Sequence, residues 1–342
     1  AINANDTHYP PVAGTVRVRE AISNKFKRDN GLDYAPEQIV VSNGAKQSIA
    51  NVVLSVVNPG DEVILPAPYW VSYAEIVKLA KGVPVVLPTS IYDDYKIKPE
   101  ALAAAINEKT RMVIYSSPCN PSGSVYTLEE TQAIAEVLLQ NDNIITISDE
   151  IYELINFTPK HASLAGIPGM MDRVVTVNGV SKGFAMTGWR LGYIGATKWI
   201  AAACNKIQGQ ITSAPCSIAQ AAAAAAVDAD PSIANEMLEA FLRRRDQMLT
   251  DLDDIPGIKL NKPMGAFYLF PDISGLFGKS YNGKTLSNSD DVAMFLIEEA
   301  HVATVSGSAF GTPECIRLSY AAADEVLAEA ARRIREAVSK LA

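Results

Sequence analysis

Val177-Asn178-Gly179-Val180-Ser181-Lys182-Gly183-Phe184-Ala185-Met186-Thr187-Gly188-Trp189-Arg190-Leu191-Gly192 decides how the rest of this chain is read. A β-branched run, Arg173 to Val177, enters the segment as a strand, and Gly192 to Gly195 leaves it as a short one. Between them a small-residue turn carries Lys182, and Arg190 follows eight residues later. A lysine amine can form a Schiff base with an aldehyde cofactor, and an arginine fork can hold that cofactor's phosphate. Taken alone, the same residues also fit a surface lysine beside a packed glycine–tryptophan turn.

Working outward, helical and strand patterns alternate. Gln38 to Val41 reads as a strand, Ala45 to Val57 as a helix, and Glu62 to Leu65 and Val83 to Leu87 as strands. Thr110 to Tyr115 is strand-like and ends at Pro118-Cys119-Asn120-Pro121-Ser122-Gly123. Leu128 to Gln140 is helical, and Ile144 to Ile147 is a strand ending at Ser148-Asp149-Glu150. Continuous apolar strands separated by helices predict an α/β fold with a mostly parallel sheet sandwiched by helices. Such sheets bind ligands at the carboxyl ends of their strands. Asn120, Asp149 and Lys182 each follow a predicted strand, as a shared site requires.

Beyond these, Pro231 to Leu252 reads as one long helix carrying Arg243-Arg244-Arg245, a solvated face or a bridge between domains. Gly265 to Phe270 and Cys315 to Tyr320 read as strands, Ser289 to Ala300 and Glu325 to Leu341 as helices. This pattern predicts a smaller α+β domain beginning near residue 250. Gly275 to Ser289 reads as a polar loop.

With 342 residues, 48% of them hydrophobic, the chain can bury a large core without disulfides. A net charge of -8 argues against nucleic acid as a partner. Cys119, Cys204, Cys216 and Cys315 lack framework spacing and read as reduced thiols of a cytoplasmic protein. His8, His161 and His301 are scattered, so no metal site is expected. No run reaches transmembrane length, and Ala219 to Ala226 fits a buried helix. The chain opens at Ala1 in what reads as a helix end, and the expectation is that a segment precedes it.

The Lys182 segment resembles the lysine motif of fold-type I aminotransferases, which use pyridoxal 5'-phosphate (PLP). Such a site needs a carboxylate against the pyridine nitrogen, donors to the phenolic oxygen, a phosphate cradle and a ring partner. Asp149 can be that carboxylate and Tyr152 a phenolic donor; a cap on a following helix is the other use of a strand-end aspartate. Asn120 can donate through its amide, or simply form the Asn-Pro turn. Gly44-Ala45-Lys46 opens a helix directly after a strand, where free amides and the helix dipole suit a phosphate. Trp70 can stack on the ring or sit in a core. Arg317, charged within an apolar strand, can take a substrate carboxylate through its fork or form a structural salt bridge.

Together these segments resemble the class I aminotransferases, and within them the aspartate aminotransferase group of bacteria and plant plastids. The resemblance runs from Tyr9-Pro10-Pro11-Val12-Ala13-Gly14 to Leu341, with six motifs in the family's order. It implies the fold-type I PLP transferase fold. Residues 1–250 would form a large PLP-binding domain, with 1–13 an arm toward a partner subunit, and 251–342 a small domain. It further implies that Lys182 is the Schiff-base lysine and proton shuttle, and that Arg190, Gly44, Ala45 and Lys46 bind phosphate. Asp149 would hold the pyridine nitrogen, Asn120 and Tyr152 the phenolic oxygen, Trp70 the ring face, and Arg317 the substrate α-carboxylate. Tyr9 matches a tyrosine that reaches the neighbouring subunit's phosphate, implying a homodimer with shared sites.

Two departures stand out. Many relatives carry a hydroxyl residue three before the lysine, where this chain has Gly179, which implies a missing phosphate contact. No basic residue lies between Lys206 and Arg243, so the partner-subunit arginine that some relatives use for a distal carboxylate is absent. Lys46 is then the candidate, as in members that accept prephenate as well as dicarboxylic amino acids. The expected activity is ping-pong transfer of the amino group of L-aspartate to 2-oxoglutarate. The alternatives are prephenate or a broader aromatic substrate, a PLP carbon–sulfur lyase, and a ligand sensor lacking catalysis.

Overall fold

A computed structural model describes all 342 residues. Helix α1 (Val16–Lys25) leads into β1 (Ile39–Ser42) and α2 (Ala45–Val56). Then come β2 (Glu62–Ala67), α3 (Ser72–Leu79), β3 (Val83–Pro88), α4 (Pro99–Ala105), β4 (Thr110–Ser116), α5 (Leu128–Leu139), β5 (Ile145–Asp149), β6 (Val174–Gly179) and β7 (Gly192–Gly195). After these follow α6 (Lys198–Ile211), α7 (Ser217–Asp228) and α8 (Asn235–Leu252). The chain closes with β8 (Tyr268–Leu269), the hairpin β9 (Ser280–Tyr281) and β10 (Lys284–Thr285), α9 (Ser289–Glu299), β11 (Val305–Ser306), β12 (Ile316–Ser319) and α10 (Asp324–Val338).

The first seven strands form one sheet in the order β1-β7-β6-β5-β4-β2-β3. Only β7 runs against its neighbours; the other six strands share one direction. Side-chain alternation along each strand divides the apolar residues between two cores. Ile39, Val41, Ile64, Val113 and Tyr115 face α1, α5 and α7. Val40, Val63, Leu65, Met112, Ile114 and Val177 face α2, α3 and α6. Both faces are covered, so the strands are apolar throughout, as their sequences require. No helix is long and apolar enough to cross a membrane.

A third core holds α8, α9, α10 and the three-stranded sheet β11-β12-β8. It also takes in Ile151, Tyr152 and Ile155, which follow β5, so the turn after the central strand touches both the large sheet and the C-terminal layer.

The predicted elements recur with shifted ends. Pro231 to Ala234 is a 3-10 turn rather than the start of the long helix, which begins at Asn235. The predicted strand 265–270 shrinks to two residues because the chain turns at its start. Ala266 has φ 57°, and a Cβ on Gly265 would lie 2.6 Å from the Pro118 ring and 2.9 Å from the Ile155 carbonyl. The 275–289 stretch contains the β9–β10 hairpin. The triple-arginine run is structural: Arg243 and Arg244 bond Asp324 at the start of α10, and buried Arg245 donates to the Pro263 carbonyl at 3.0 Å.

Gly192 is where the sheet meets the start of α2. A Cβ there would lie 2.5 Å from the Gly44 carbonyl carbon, and backbone cannot yield as a side chain can. Gly192→Ala is expected to destabilise the fold by on the order of 3 kcal/mol, read as a lowered thermal midpoint. An unchanged midpoint would show that α2 can move away.

Candidate active site

The carboxyl ends of the parallel strands and the start of α2 surround a cavity of about 330 Å³. Ala45, Lys46, Trp70, Asn120, Asp149, Tyr152, Lys182, Arg190 and Arg317 all line it, although they come from seven separate stretches of chain. Gly44 lies behind Arg190. Tyr9 does not reach the cavity of its own chain and is 98% exposed.

Asp149 ends β5, the middle of the sheet, and its carboxylate is only 4% exposed. Tyr73 Oη donates to its Oδ2 at 2.6 Å and the Ile151 N–H to its Oδ1 at 3.3 Å. No helix follows, so the helix-cap use of Asp149 is excluded; it closes only a turn. No lysine or arginine pairs with it. Burial, partly offset by the Tyr73 bond, pushes its pKa up to about 6. An acceptor kept from water with no cation beside it fits a cationic ring N–H.

Lys182 follows β6 and is partly buried. Burial first, then the positive charges of Arg317 and Arg190, lower its pKa, against the opposing pull of Asp149. A neutral amine is therefore more accessible than on a surface lysine, as a nucleophile or base requires.

The start of α2 and Arg190 form a cradle. Gly44 has φ 85°, a conformation open to glycine, and no side chain caps α2. A Cβ on Gly44 would lie 2.5 Å from Arg190 Nη2. Arg190 Nη1 donates to the Thr187 carbonyl at 2.9 Å, and the guanidinium has no carboxylate partner. A helix N-terminus beside an unpaired guanidinium suits a phosphate in chemistry and shape.

Arg317 lies on β12. Its Nη1 donates to Asn120 Oδ1 at 2.8 Å, and its guanidinium covers the Tyr268 ring at 4.5 Å and the Phe310 ring at 5.0 Å. No carboxylate pairs with it, so the structural salt bridge is excluded. The Asn120 amide nitrogen is left to donate into the cavity. Lys46 Nζ stands 4.9 Å from the Trp70 ring centre, also without a carboxylate.

Two neighbours escape a reading by motif. Tyr73, one turn after Trp70, holds Asp149. Tyr268 Oη lies 2.9 Å from Tyr152 Oη, where either hydroxyl can donate. Gly179 has a steric reason: a Cβ there would lie 2.8 Å from Gly192 Cα and 2.9 Å from the Leu191 carbonyl. The nearby hydroxyl is that of Ser181, which lines the cavity.

The family model of class I and II aminotransferases matches residues 1–334. The chain belongs to the class I and II aminotransferases. It is 49% identical to the bifunctional aspartate aminotransferase and glutamate/aspartate-prephenate aminotransferase of Petunia hybrida, over 99% of this chain and 72% of that protein. It is 46% identical to the aspartate/prephenate aminotransferase of Nitrosomonas europaea, over 99% of this chain and 86% of the relative. The crystal structure of the aspartate aminotransferase from Rhizobium meliloti superposes with a TM-score of 0.97 at 40% identity, covering 100% of this chain and 86% of that one. The protein is a PLP-dependent transaminase with the fold-type I architecture, and its substrates are amino acids and keto acids. The residues of the cavity fit PLP: an amine, an unpaired buried carboxylate, an indole and an anion cradle meet there.

In the cofactor-free enzyme Asp149 weakens the fold once ionised. Its pKa rises from 3.8 to about 6, so the native state holds the proton more tightly than the unfolded chain. The stability this contributes is complete below about pH 4 and is lost as pH rises through about 6. Asp149→Asn is expected to remove that loss. The cofactor-free variant should unfold at higher temperature than the parent at pH 8, by on the order of 2 kcal/mol, with the gap closing toward pH 4. A variant no more stable at pH 8 contradicts the unpaired carboxylate.

Proposed function

We propose that this aminotransferase moves the amino group of L-aspartate to 2-oxoglutarate by a ping-pong cycle, with prephenate as a second acceptor. The observation that carries this reading is a pair of cations, Arg317 and Lys46, that line one cavity with Lys182 while neither holds a carboxylate of the chain. Two cations facing one cavity without carboxylate partners suit a dicarboxylic substrate. The names of the Petunia and Nitrosomonas relatives support the same donor and the second acceptor.

Bound PLP supplies an aldehyde that takes up the amine and a ring that draws electrons from the substrate α-carbon. The rest is the work of the chain. Arg317 grips the substrate α-carboxylate with its fork, oriented by Asn120 Oδ1 and the Tyr268 face. Lys46 meets the distal carboxylate. Lys182, whose proton affinity is lowered by burial first and then by Arg317 and Arg190, would act as the base that takes the proton from the substrate α-carbon and holds it for return. Asp149 keeps a proton on the ring nitrogen, and Tyr73 fixes the carboxylate that does so. Burial pushes the Tyr152 phenol up, so it remains a donor to the phenolic oxygen together with Asn120. Trp70 would lie against the ring, and Arg190 with the Gly44-Ala45-Lys46 amides would hold the phosphate.

In this reading Tyr9 reaches the phosphate of a second subunit, so the enzyme is a homodimer with shared sites; the full exposure of Tyr9 on one chain supports this. Residues 1–250 act as the large domain, with 1–13 as its arm, and 251–342 as the small one. Four free cysteines suit a reducing cytoplasm.

The test is the visible absorption of the purified enzyme after addition of L-aspartate without a keto acid. The cofactor band should shift stoichiometrically, with no ammonia released, and return on adding 2-oxoglutarate or prephenate. Ammonia release would indicate a lyase, and an unresponsive band a ligand sensor. Lys46→Ala is expected to raise KM for dicarboxylic substrates by about tenfold or more while leaving monocarboxylic ones near the parent. Equal effects on both would remove Lys46 from the distal-carboxylate role.

A further inference from the structure

Behind the Asp149 turn lies a buried ion cluster that the reaction does not use. The backbone from 149 to 153 folds into a single turn, with the Glu153 N–H donating to the Glu150 carbonyl at 2.9 Å. Asp149 and Tyr152 line the cofactor cavity; Glu150 and Glu153, three apart, do not. Glu150 is 0% exposed and accepts from Ser148 Oγ at 2.9 Å, Ser163 Oγ at 2.7 Å and His161 Nε2 at 2.9 Å. Glu153 is bound by Lys25 Nζ and by Asn30 Nδ2, the latter at 2.8 Å.

Lys25 is the last residue of α1 and is 1% exposed, an expensive place for an ammonium. Its bonds to Glu153 and Asn30 compensate it, the latter at 2.9 Å. Burial opposes charge on Glu153, but Lys25 and then His161 outweigh it and hold the carboxyl below its usual range. Burial likewise opposes charge on His161, and Glu150 outweighs it. The ligand atoms of Glu150, Glu153 and His161 lie within 4.8 Å of one another, but Glu153 is already paired with the Lys25 ammonium and Glu150 with His161, so the cluster is matched within the chain.

We propose that Lys25 and His161 are positioning residues, which anchor the back of the 149–153 turn and thereby hold Asp149 and Tyr152 in register with the bound cofactor. This rests on the assignment of Asp149 and Tyr152 to PLP. Two carboxylates on the back of a five-residue turn, each tied to a basic side chain from a different segment, leave the front pair little freedom. Pre-organised groups of this kind spare the cost of ordering when the cofactor binds.

The test compares holoenzyme variants Lys25→Met, His161→Gln, and the pair Lys25→Met with Glu153→Gln. For each, the PLP dissociation constant, the induced visible circular dichroism of the bound cofactor, kcat and KM for the amino donor, and the thermal midpoint are measured. The single variants are expected to raise the PLP dissociation constant by about tenfold, weaken the dichroism, and lower kcat. KM should stay within about twofold, because Arg317 and Lys46 stand on other elements. Lys25→Met alone leaves Glu153 buried and unpaired and can fail to fold; the paired variant removes that charge and should recover the thermal midpoint. It should still show the cofactor defects. Variants that lose only thermal stability, or a paired variant whose cofactor properties recover with its stability, overturn the proposal in favour of a purely structural cluster. If Asp149→Asn leaves PLP affinity and dichroism unchanged, the assignment of Asp149 itself is wrong and the proposal falls with it.

Discussion

A carboxylate buried at the end of the central strand, with no cation of its own chain bonded to it, is the constraint around which this molecule is arranged. Asp149 stays in place because β5 delivers it, Tyr73 donates to one oxygen and the Ile151 amide to the other. In water such a group would ionise near 3.8; here burial moves it to about 6. A fold tolerates that cost where a ligand repays it. The pairing becomes favourable only when a cationic ring occupies the cavity, so stability without cofactor and affinity for cofactor are opposed through one side chain.

The same opposition recurs around the cavity. Arg190, Arg317 and Lys46 have no carboxylate partners, and burial first, then the charges of Arg317 and Arg190, lower the affinity of Lys182 for its proton. In the proposed reading these cations would be matched by anions of the ligand: a phosphate for the cradle at α2 and carboxylates for Arg317 and Lys46. Elsewhere the buried cations are paired within the chain, Lys25 with Glu153 and Arg245 with Asp246. The contrast between satisfied charge in the scaffold and unsatisfied charge in the cavity is the clearest physical mark of the site.

Much of this was legible in the sequence because its signals are local. Strand ends bearing Asn120, Asp149 and Lys182, a glycine-led helix start at Gly44, and an arginine inside an apolar strand each announce themselves within a few residues. The parallel sheet followed from continuous apolar runs. The partner hydroxyls were not legible. Tyr73 bonds Asp149 across 76 positions and Tyr268 meets Tyr152 across 116, and nothing local marks either tyrosine as polar-facing. Gly179 read as a missing hydroxyl because spacing shows which residue is absent but not which backbone lies against it. The shortening of the predicted strand 265–270 to the two residues of β8 was invisible for a similar reason, since the close packing of Gly265 on Pro118 is a contact between distant segments.

The central claim is that Lys182 carries the cofactor in the cavity bounded by Asp149 and Arg190. The most direct measurement is borohydride reduction of the holoenzyme, which locks the cofactor onto the amine that holds it, followed by peptide mass spectrometry. The account predicts a phosphopyridoxyl group on the peptide containing Lys182 and on no other lysine. The same group on Lys46 or another lysine, or on none, would contradict it.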